Sequence, residues 1–392
     1  MKQLEYKVSF NTPAFLGNAE QQAQWRTPPF KALIRQWWRV AYAEDHGYPQ
    51  STVAMRREEG LLFGHAWLES DRDEQGRAVA ARKSAVRIRL DKWEIGKLKN
   101  WDGLEQGAVH HPETERTGYK VGPHAYLGFG PLDGRGGTKL SPKTNAAIQA
   151  GESATLAIAV PDEQAPRIER ALWLMDRYAT AGGRSRNGWG SFALLPLPPG
   201  EGRGEGTTLV GATQLRPWRD CLSLDWPHAL GQDDHGALIW QTRPFDDWKA
   251  LMRELAVVKI GLRTQFVFTT GKNADHPDAR HWLSHPVTNH NVAAWKEKGR
   301  GDFRLPNSLR FKVRKTPEGK FVGVAFHVPC LPPAAFSPNP NAIQAVWQSV
   351  HALLDELTNP SAERAYRSVA DAVRRSQLRP QMDKLTLQRI SE

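Results

Sequence analysis

Residues 182–190 read Gly182-Gly183-Arg184-Ser185-Arg186-Asn187-Gly188-Trp189-Gly190, and what flanks them decides the fold. Upstream, Pro166 to Thr180 carries Ile168, Leu172, Met175 and Ala179 at helical spacing. Downstream, Gly190 to Leu195 reads as a strand that closes a sheet. Gly182-Gly183 ends the helix, because glycine enters the left-handed region without a Cβ clash. The stretch is a helix-to-strand loop, and the elements before it define its unit.

Lys2 to Phe10 alternates loosely and predicts a strand. Pro28-Pro29 opens a helix, where a missing N–H leaves no bond unmade. That helix runs to about His46, with Gly47 as its cap. Ala85 to Leu90 alternates sharply, with Val86, Ile88 and Leu90 on one side and Arg87 and Arg89 on the other. Thr155 to Val160 is another strand. The order strand, helix, strand, strand, helix, strand is the ferredoxin-like pattern. The segment from Asp91 to Gly151, rich in glycine and aromatics, is then an insertion.

Downstream, Pro196-Leu197-Pro198-Pro199-Gly200-Glu201-Gly202-Arg203-Gly204-Glu205-Gly206 has the composition of a linker. It predicts one domain over 1–198 and another over 207–392. In the second, Pro244 to Leu262 places Leu251, Leu255, Val258 and Leu262 at helical spacing. Leu309–Arg314 and Lys320–Val328 read as a hairpin. Asn341 to Leu357 is a helix with Ile343, Val346, Val350 and Leu354 inward, and Glu363 to Ser376 predicts a final helix. The expected fold class is α+β, with a second ferredoxin-like unit expected in this half.

Composition narrows the function. The 392 residues are 40% hydrophobic and 24% charged, which fits a globular chain rather than a disordered or fibrous one. Mean hydropathy is −0.56 and no apolar run reaches the length of a membrane span. The N-terminus lacks the apolar core of a secretory signal. Two cysteines, Cys221 and Cys330, form no disulfide framework and fit a reducing cytosol, so a cytoplasmic location is expected. Lys and Arg number 53 against 42 Asp and Glu, a net +11 with an isoelectric point near 9.7, which points to a polyanionic partner.

Three basic stretches are candidates to meet it. Trp25 to Arg39 contains no carboxylate, and its helix carries an arc of Lys31, Arg35, Trp38, Arg39 and Tyr42. That arc is either a solvated or packed face, or a phosphate- and base-contacting one. In the loop, Gly182, Gly183 and Gly188 let backbone amides approach phosphate oxygens. Arg184 and Arg186 can fork onto phosphates, and Ser185 and Asn187 can bond sugar or phosphate. A plain helix cap explains Gly182 and Gly183 but not two arginines interleaved with four glycines. Gly299 to Lys320 holds seven cations, Arg304 and Arg310 among them, against Asp302 and Glu318. The loop is neither a Walker loop nor a dinucleotide fingerprint, because no Gly-Lys-Ser/Thr follows and it precedes a strand. Metal and catalytic signals are weak: His281, His285 and His290 are split by Pro286, and no nucleophile elbow is present. Metal-free RNA cleavage needs only a positioned His or Lys, so it stays open.

Together, Thr12-Pro13-Ala14-Phe15-Leu16-Gly17, then Pro28-Pro29-Phe30-Lys31-Ala32-Leu33-Ile34-Arg35-Gln36-Trp37-Trp38-Arg39, then Leu62-Phe63-Gly64 and the glycine-rich loop resemble the RAMP superfamily of CRISPR proteins. The pattern is most similar to the first-subunit family of the type III-B Cmr effector complex. Lys31, Arg35, Trp37, Trp38 and Arg39 match its helix motif, while Thr27, Phe30 and Ala32 depart from it. The second half matches more thinly, through His281-Trp282-Leu283 and Arg304-Leu305-Pro306-Asn307-Ser308-Leu309-Arg310-Phe311.

The resemblance implies two ferredoxin-like (RRM-like) domains and a glycine-rich loop on RNA. It implies guide RNA, target RNA and the other Cmr subunits as partners, near the 3′ part of the guide. It implies binding without catalysis, and no cofactor, metal, membrane or small-molecule substrate. The expected RNA contacts are Lys31, Arg35, Trp38, Arg39, Gly182, Gly183, Arg184, Ser185, Arg186, Asn187, Gly188, Arg304 and Arg310. Two rivals remain: a RAMP endoribonuclease that processes guide RNA without metal, and an assembly protein whose basic faces meet acidic subunits.

Overall fold

The computed structural model describes every residue except 67, 70, 119, 142, 143, 145, 198–210, 212–214, 298, 300 and 392. Most of the expected linker, residues 198–206, lies outside the described residues. The chain forms two compact units. The first comprises Met1–Leu98, Ala146–Gly183 and Gly190–Gln214; the second comprises Lys99–Asn145, Arg184–Trp189 and Leu215–Glu392. This division differs from the expected 1–198 and 207–392. Much of the insertion, and the middle of the glycine-rich loop, pack with the second half. Aromatic burial explains it: Trp189 of the loop lies 5.5 Å from Trp101, 6.0 Å from His124 and 6.0 Å from Trp248, ring centre to ring centre.

In the first unit, β1 (Lys2–Phe10) buries Tyr6, Val8 and Phe10 on alternate positions. Helix α1 (Thr27–Asp45) opens on its prolines and buries Phe30, Ile34, Trp37 and Ala41. Helix α2 (Val53–Phe63) follows, then β2 (Arg87–Leu90). Strand β3 (Ser153–Val160) buries every second residue, Ala154, Leu156, Ile158 and Val160. Helix α3 (Ala165–Tyr178) turns Ile168, Leu172 and Met175 inward, and β4 (Phe192–Pro196) closes the unit. The sheet is ordered β2-β3-β1-β4. Every pairing is antiparallel, with Lys2 opposite Val160 and Phe10 opposite Phe192.

The second unit repeats that order. The strands of its four-stranded sheet are β5 (Ile239–Thr242), β6 (Leu309–Lys315), β7 (Phe321–His327) and β8 (Leu387–Arg389). Helix α4 (Trp248–Thr264) follows β5, and α5 (Pro340–Glu356) follows β7. The sheet is ordered β6-β7-β5-β8, again antiparallel throughout. Both units are α+β.

Two details depart from the sequence reading. The helix expected over Glu363–Ser376 is broken by Tyr366, whose φ is +49°. The buried Arg364 side chain holds this segment by donating to the carbonyls of Asn359, Met382, Leu357 and Leu385. The fourth strand, β8, was not expected, since it offers one apolar residue. Arg389 pins it, 2.6 Å from Asp233. Among the described residues, no helix is long and apolar enough to cross a membrane.

Candidate nucleic-acid interface

The glycine-rich loop is shaped at its ends by glycine. Gly182 has φ +93°, and a Cβ there would lie 2.6 Å from the Phe15 carbonyl oxygen. Gly190 has φ +65°, and a Cβ there would lie 1.9 Å from the Ala181 carbonyl oxygen. No side chain fits either position.

The amides expected to cradle phosphate are already engaged. Gly183 N donates to Phe15 O at 2.9 Å, Asn187 N to Arg184 O at 2.9 Å and Gly188 N to Ser185 O at 3.1 Å. The expectation for Gly183 and Gly188 as phosphate ligands is therefore corrected, because their amides are spent within the protein, and Gly182 sets the loop's path. Asn187 is corrected likewise. Its Nδ2 donates to Leu127 O at 2.6 Å, and its Oδ1 accepts from Lys259 Nζ. The half-buried Ser185 is also part of the loop's bonded structure. Arg186 O accepts from Phe311 N at 3.0 Å, which sets the loop against β6.

The arginines of this loop do converge with the two expected from the second half. Desolvation of the Arg184 guanidinium, followed by Arg263 and Arg304 beside it, lowers its pKa. Arg186 is half-buried and acts in the same way on Arg310, which is 7% exposed. Burial, then Arg186, pulls the Arg310 guanidinium down to about 9, so it stays charged at neutral pH.

Sequence reasoning missed two members, Lys259 and Arg263, one turn apart on α4. Lys259 is half-buried, and its pKa falls well below the lysine range. Burial is the main cause, followed by Arg263 and Arg184. A cavity brings Arg186, Asn187, Lys259, Arg263 and Asn307 together, with Leu309, Phe311 and Trp347 among its apolar walls.

Among the described residues, no carboxylate forms an ion pair with Arg184, Arg186, Lys259, Arg263, Arg304 or Arg310. Glu113, which feels Arg263 at longer range, is paired with Arg280. The acid beside Arg186 and Arg310 is the Cys330 thiol, which burial pushes up to about 11 and leaves neutral. The Nε atoms of Arg263 and Arg310 are buried without a hydrogen-bond partner. Five guanidinium groups without counter-charge, with the Lys259 amine among them, repel one another, and a polyanion relieves that repulsion.

The N-terminal helix behaves differently. Trp38 is fully buried, with Tyr42 and Phe63 ring centres at 5.1 and 5.9 Å. It is a core residue and cannot stack on a base, which corrects the expectation for it. Arg35 Nε lies 2.7 Å from Glu59 Oε1, and Arg39 Nε lies 2.9 Å from Glu59 Oε2. Glu59 comes from α2 and its side chain is 3% exposed. Arg35 and Arg39 thus neutralise a buried carboxylate, which gives them a structural role within the unit. Lys31 is half-buried, and burial followed by Arg35 lowers its pKa.

The three histidines bond to backbone. His281 accepts from Asp278 N at 2.9 Å, His285 contacts Phe303 O at 2.7 Å, and His290 contacts Thr270 O at 2.7 Å. Among the described residues, no group of His, Cys, Asp and Glu is placed to hold a metal ion.

No protein-family model matches the chain, and no curated protein matches it in sequence. Among solved structures it is similar to Cmr1 from Pyrococcus furiosus in the apo form. Identity there is 14% and the TM-score 0.40, over 89% of this chain and 97% of that one. It is also similar to a chain of the type III-B Cmr-beta complex bound to cognate target RNA and AMPPnP in the presence of single-stranded DNA. That match has 11% identity and a TM-score of 0.44, over 90% of this chain and 99% of that one. A chain of the Cmr-beta complex bound to cognate target RNA matches at 9% identity and a TM-score of 0.43, over 89% and 99%.

Proposed function

We propose that this chain is an RNA-binding subunit of a type III-B CRISPR Cmr effector complex. In that role it contacts the 3′ part of the guide RNA, its paired target, or both, in antiviral defence. The observation that carries the reading is the cluster of Arg184, Arg186, Lys259, Arg263, Arg304 and Arg310 without a paired carboxylate. Phosphate groups supply the missing charge, and such contacts bind sequence-tolerantly. That suits a complex in which base pairing reads the sequence and protein holds the backbone. The ordered motifs from Thr12 to Arg39 supply the family. We read both units as ferredoxin-like domains, supported by the shared strand order second, third, first, fourth. Catalysis is assigned to other subunits, and the remaining Cmr subunits are the protein partners.

The test incubates saturating protein with end-labelled single-stranded RNA carrying a repeat-derived tag. Samples run in parallel on native and denaturing gels. Intact RNA that shifts supports a binding subunit. A discrete cut without added metal replaces it with a guide-processing nuclease. No shift, with tight binding to partner subunits, replaces it with an assembly protein.

A further inference from the structure

Phe129 is 61% exposed, yet it sits on a tightly held turn. It follows the short helix Pro123–Gly128. On one side, a Cβ at Gly128 would meet Leu132 Cδ1 at 2.7 Å and Trp189 Nε1 at 3.1 Å. The turn therefore lies hard against two fully buried side chains. On the other side, Gly130 N donates to Leu132 O at 3.1 Å. A Cβ at Gly130 would lie 3.6 Å from Arg184 Nη2, so that guanidinium rests against the turn. The same short helix is tied to the cation cluster twice more. Leu127 O accepts from Asn187, and Tyr126 Oη accepts from Arg263 Nη1 at 3.4 Å. An exposed ring on a fixed mount beside unpaired guanidinium groups has the two parts of a single-strand site. Cations follow the backbone, and an aromatic face receives a base.

We propose that Phe129 stacks on an unpaired base of the RNA strand whose phosphates lie on Arg184 and its neighbours. The inference rests on the RNA-binding reading and deepens it. The site then takes single-stranded RNA in preference to duplex, because bases in a duplex already stack on each other.

The experiment measures affinity of the full chain for a short single-stranded RNA, the same RNA in duplex, and the same RNA with abasic residues. Phe129→Ala, Phe129→Trp and Arg184→Ala are compared with the unaltered protein. Phe129→Ala should weaken single-strand binding about 5- to 100-fold, the range of one base–aromatic stack. Its salt dependence should not change, and Phe129→Trp should restore affinity. Abasic RNA should bind the unaltered protein and Phe129→Ala alike. Phe129→Ala binding single strands normally, while Arg184→Ala does not, overturns the stacking proposal and leaves the phosphate site standing; the ring then serves protein packing. A loss in Phe129→Ala that is equal for normal and abasic RNA also overturns it. No binding of any RNA by the unaltered protein overturns both this proposal and the RNA-binding reading.

Discussion

Lys259 Nζ donates to Asn187 Oδ1, while Asn187 Nδ2 donates to Leu127 O. One amide thus connects α4, the glycine-rich loop and the short helix Pro123–Gly128. The loop's asparagine fixes where the Lys259 amine stands, and the cluster inherits its geometry from that latch.

Asn187→Ala removes both bonds and leaves Leu127 O and the Lys259 amine unsatisfied. Unfolding in urea should show a loss of about 2 kcal/mol or more, since each unmet buried group costs roughly 1–3 kcal/mol. RNA affinity should fall as well, because Lys259 loses its position. Affinity that falls with stability unchanged would make Asn187 a direct RNA ligand instead.

Lys259 also couples binding to pH. Burial, then Arg263 and Arg184, holds its pKa well below the lysine range in the folded chain. The unfolded chain therefore carries a proton that the folded chain has lost, from the depressed value up to the ordinary one near ~10.4. Through that window the Lys259 contribution to stability rises with pH, and below it the full penalty of a buried charge applies. Phosphate favours the ammonium, so RNA binding should take up protons in the same window. Affinity should then weaken as pH rises through it. Calorimetry in two buffers of different ionisation enthalpy measures the uptake, and Lys259→Met should abolish it. Equal heats in both buffers for the unaltered protein contradict the coupling.

The pairs of Glu59 with Arg35 and Arg39 predict stability without function. Arg35→Ala plus Arg39→Ala leaves a carboxylate that is 3% exposed without its cations. Breaking a buried pair from one side costs about 3–5 kcal/mol, and partial exposure of both guanidinium groups lowers the expectation to about 2–3 kcal/mol. Glu59→Gln should cost less, because Arg35 and Arg39 can turn to water. Thermal melts rank the variants, and RNA affinity per folded molecule should stay unchanged. A drop in affinity to match Arg184→Ala would return these arginines to the phosphate site.

These three cases mark where the sequence could be read. Periodicity located β1, α1, β3, α3, α4 and α5 through their apolar faces, and the β6–β7 hairpin through two runs rich in β-branched and aromatic residues that are buried on both faces. It did not reveal α2, whose Val53–Phe63 run mixes four charges with Gly60. Strand β8 was hidden because an ion pair between Arg389 and Asp233, 156 positions apart, holds it. Counting charges along one helix made Arg35 and Arg39 look unpaired, since the neutralising Glu59 arrives from α2. Lys259 and Arg263 were concealed for the opposite reason. The apolar stripe of α4 explained the helix, and its acid-free last turns, from Leu255 to Thr264, drew no notice. The loop arginines were legible as cations, but their convergence with Arg304 and Arg310 is a property of the fold alone.

Arg184→Ala plus Arg186→Ala should separate binding from stability in the opposite sense to Glu59. Each removes a cation from a crowded cluster, and neither is held by a carboxylate. The folded chain should therefore keep its stability or gain slightly, as sites that hold like charges together tend to trade stability for binding. Single-stranded RNA should bind more weakly, and the slope of log affinity against log salt should flatten. Two phosphate contacts at about −0.7 each set the change near 1.4 units, with two units as the ceiling. Titrations at several salt concentrations, beside melting curves, give both quantities. A slope equal to that of the unaltered protein removes these arginines from the interface. A large loss of stability makes them parts of the fold, and the cluster then loses its claim on RNA.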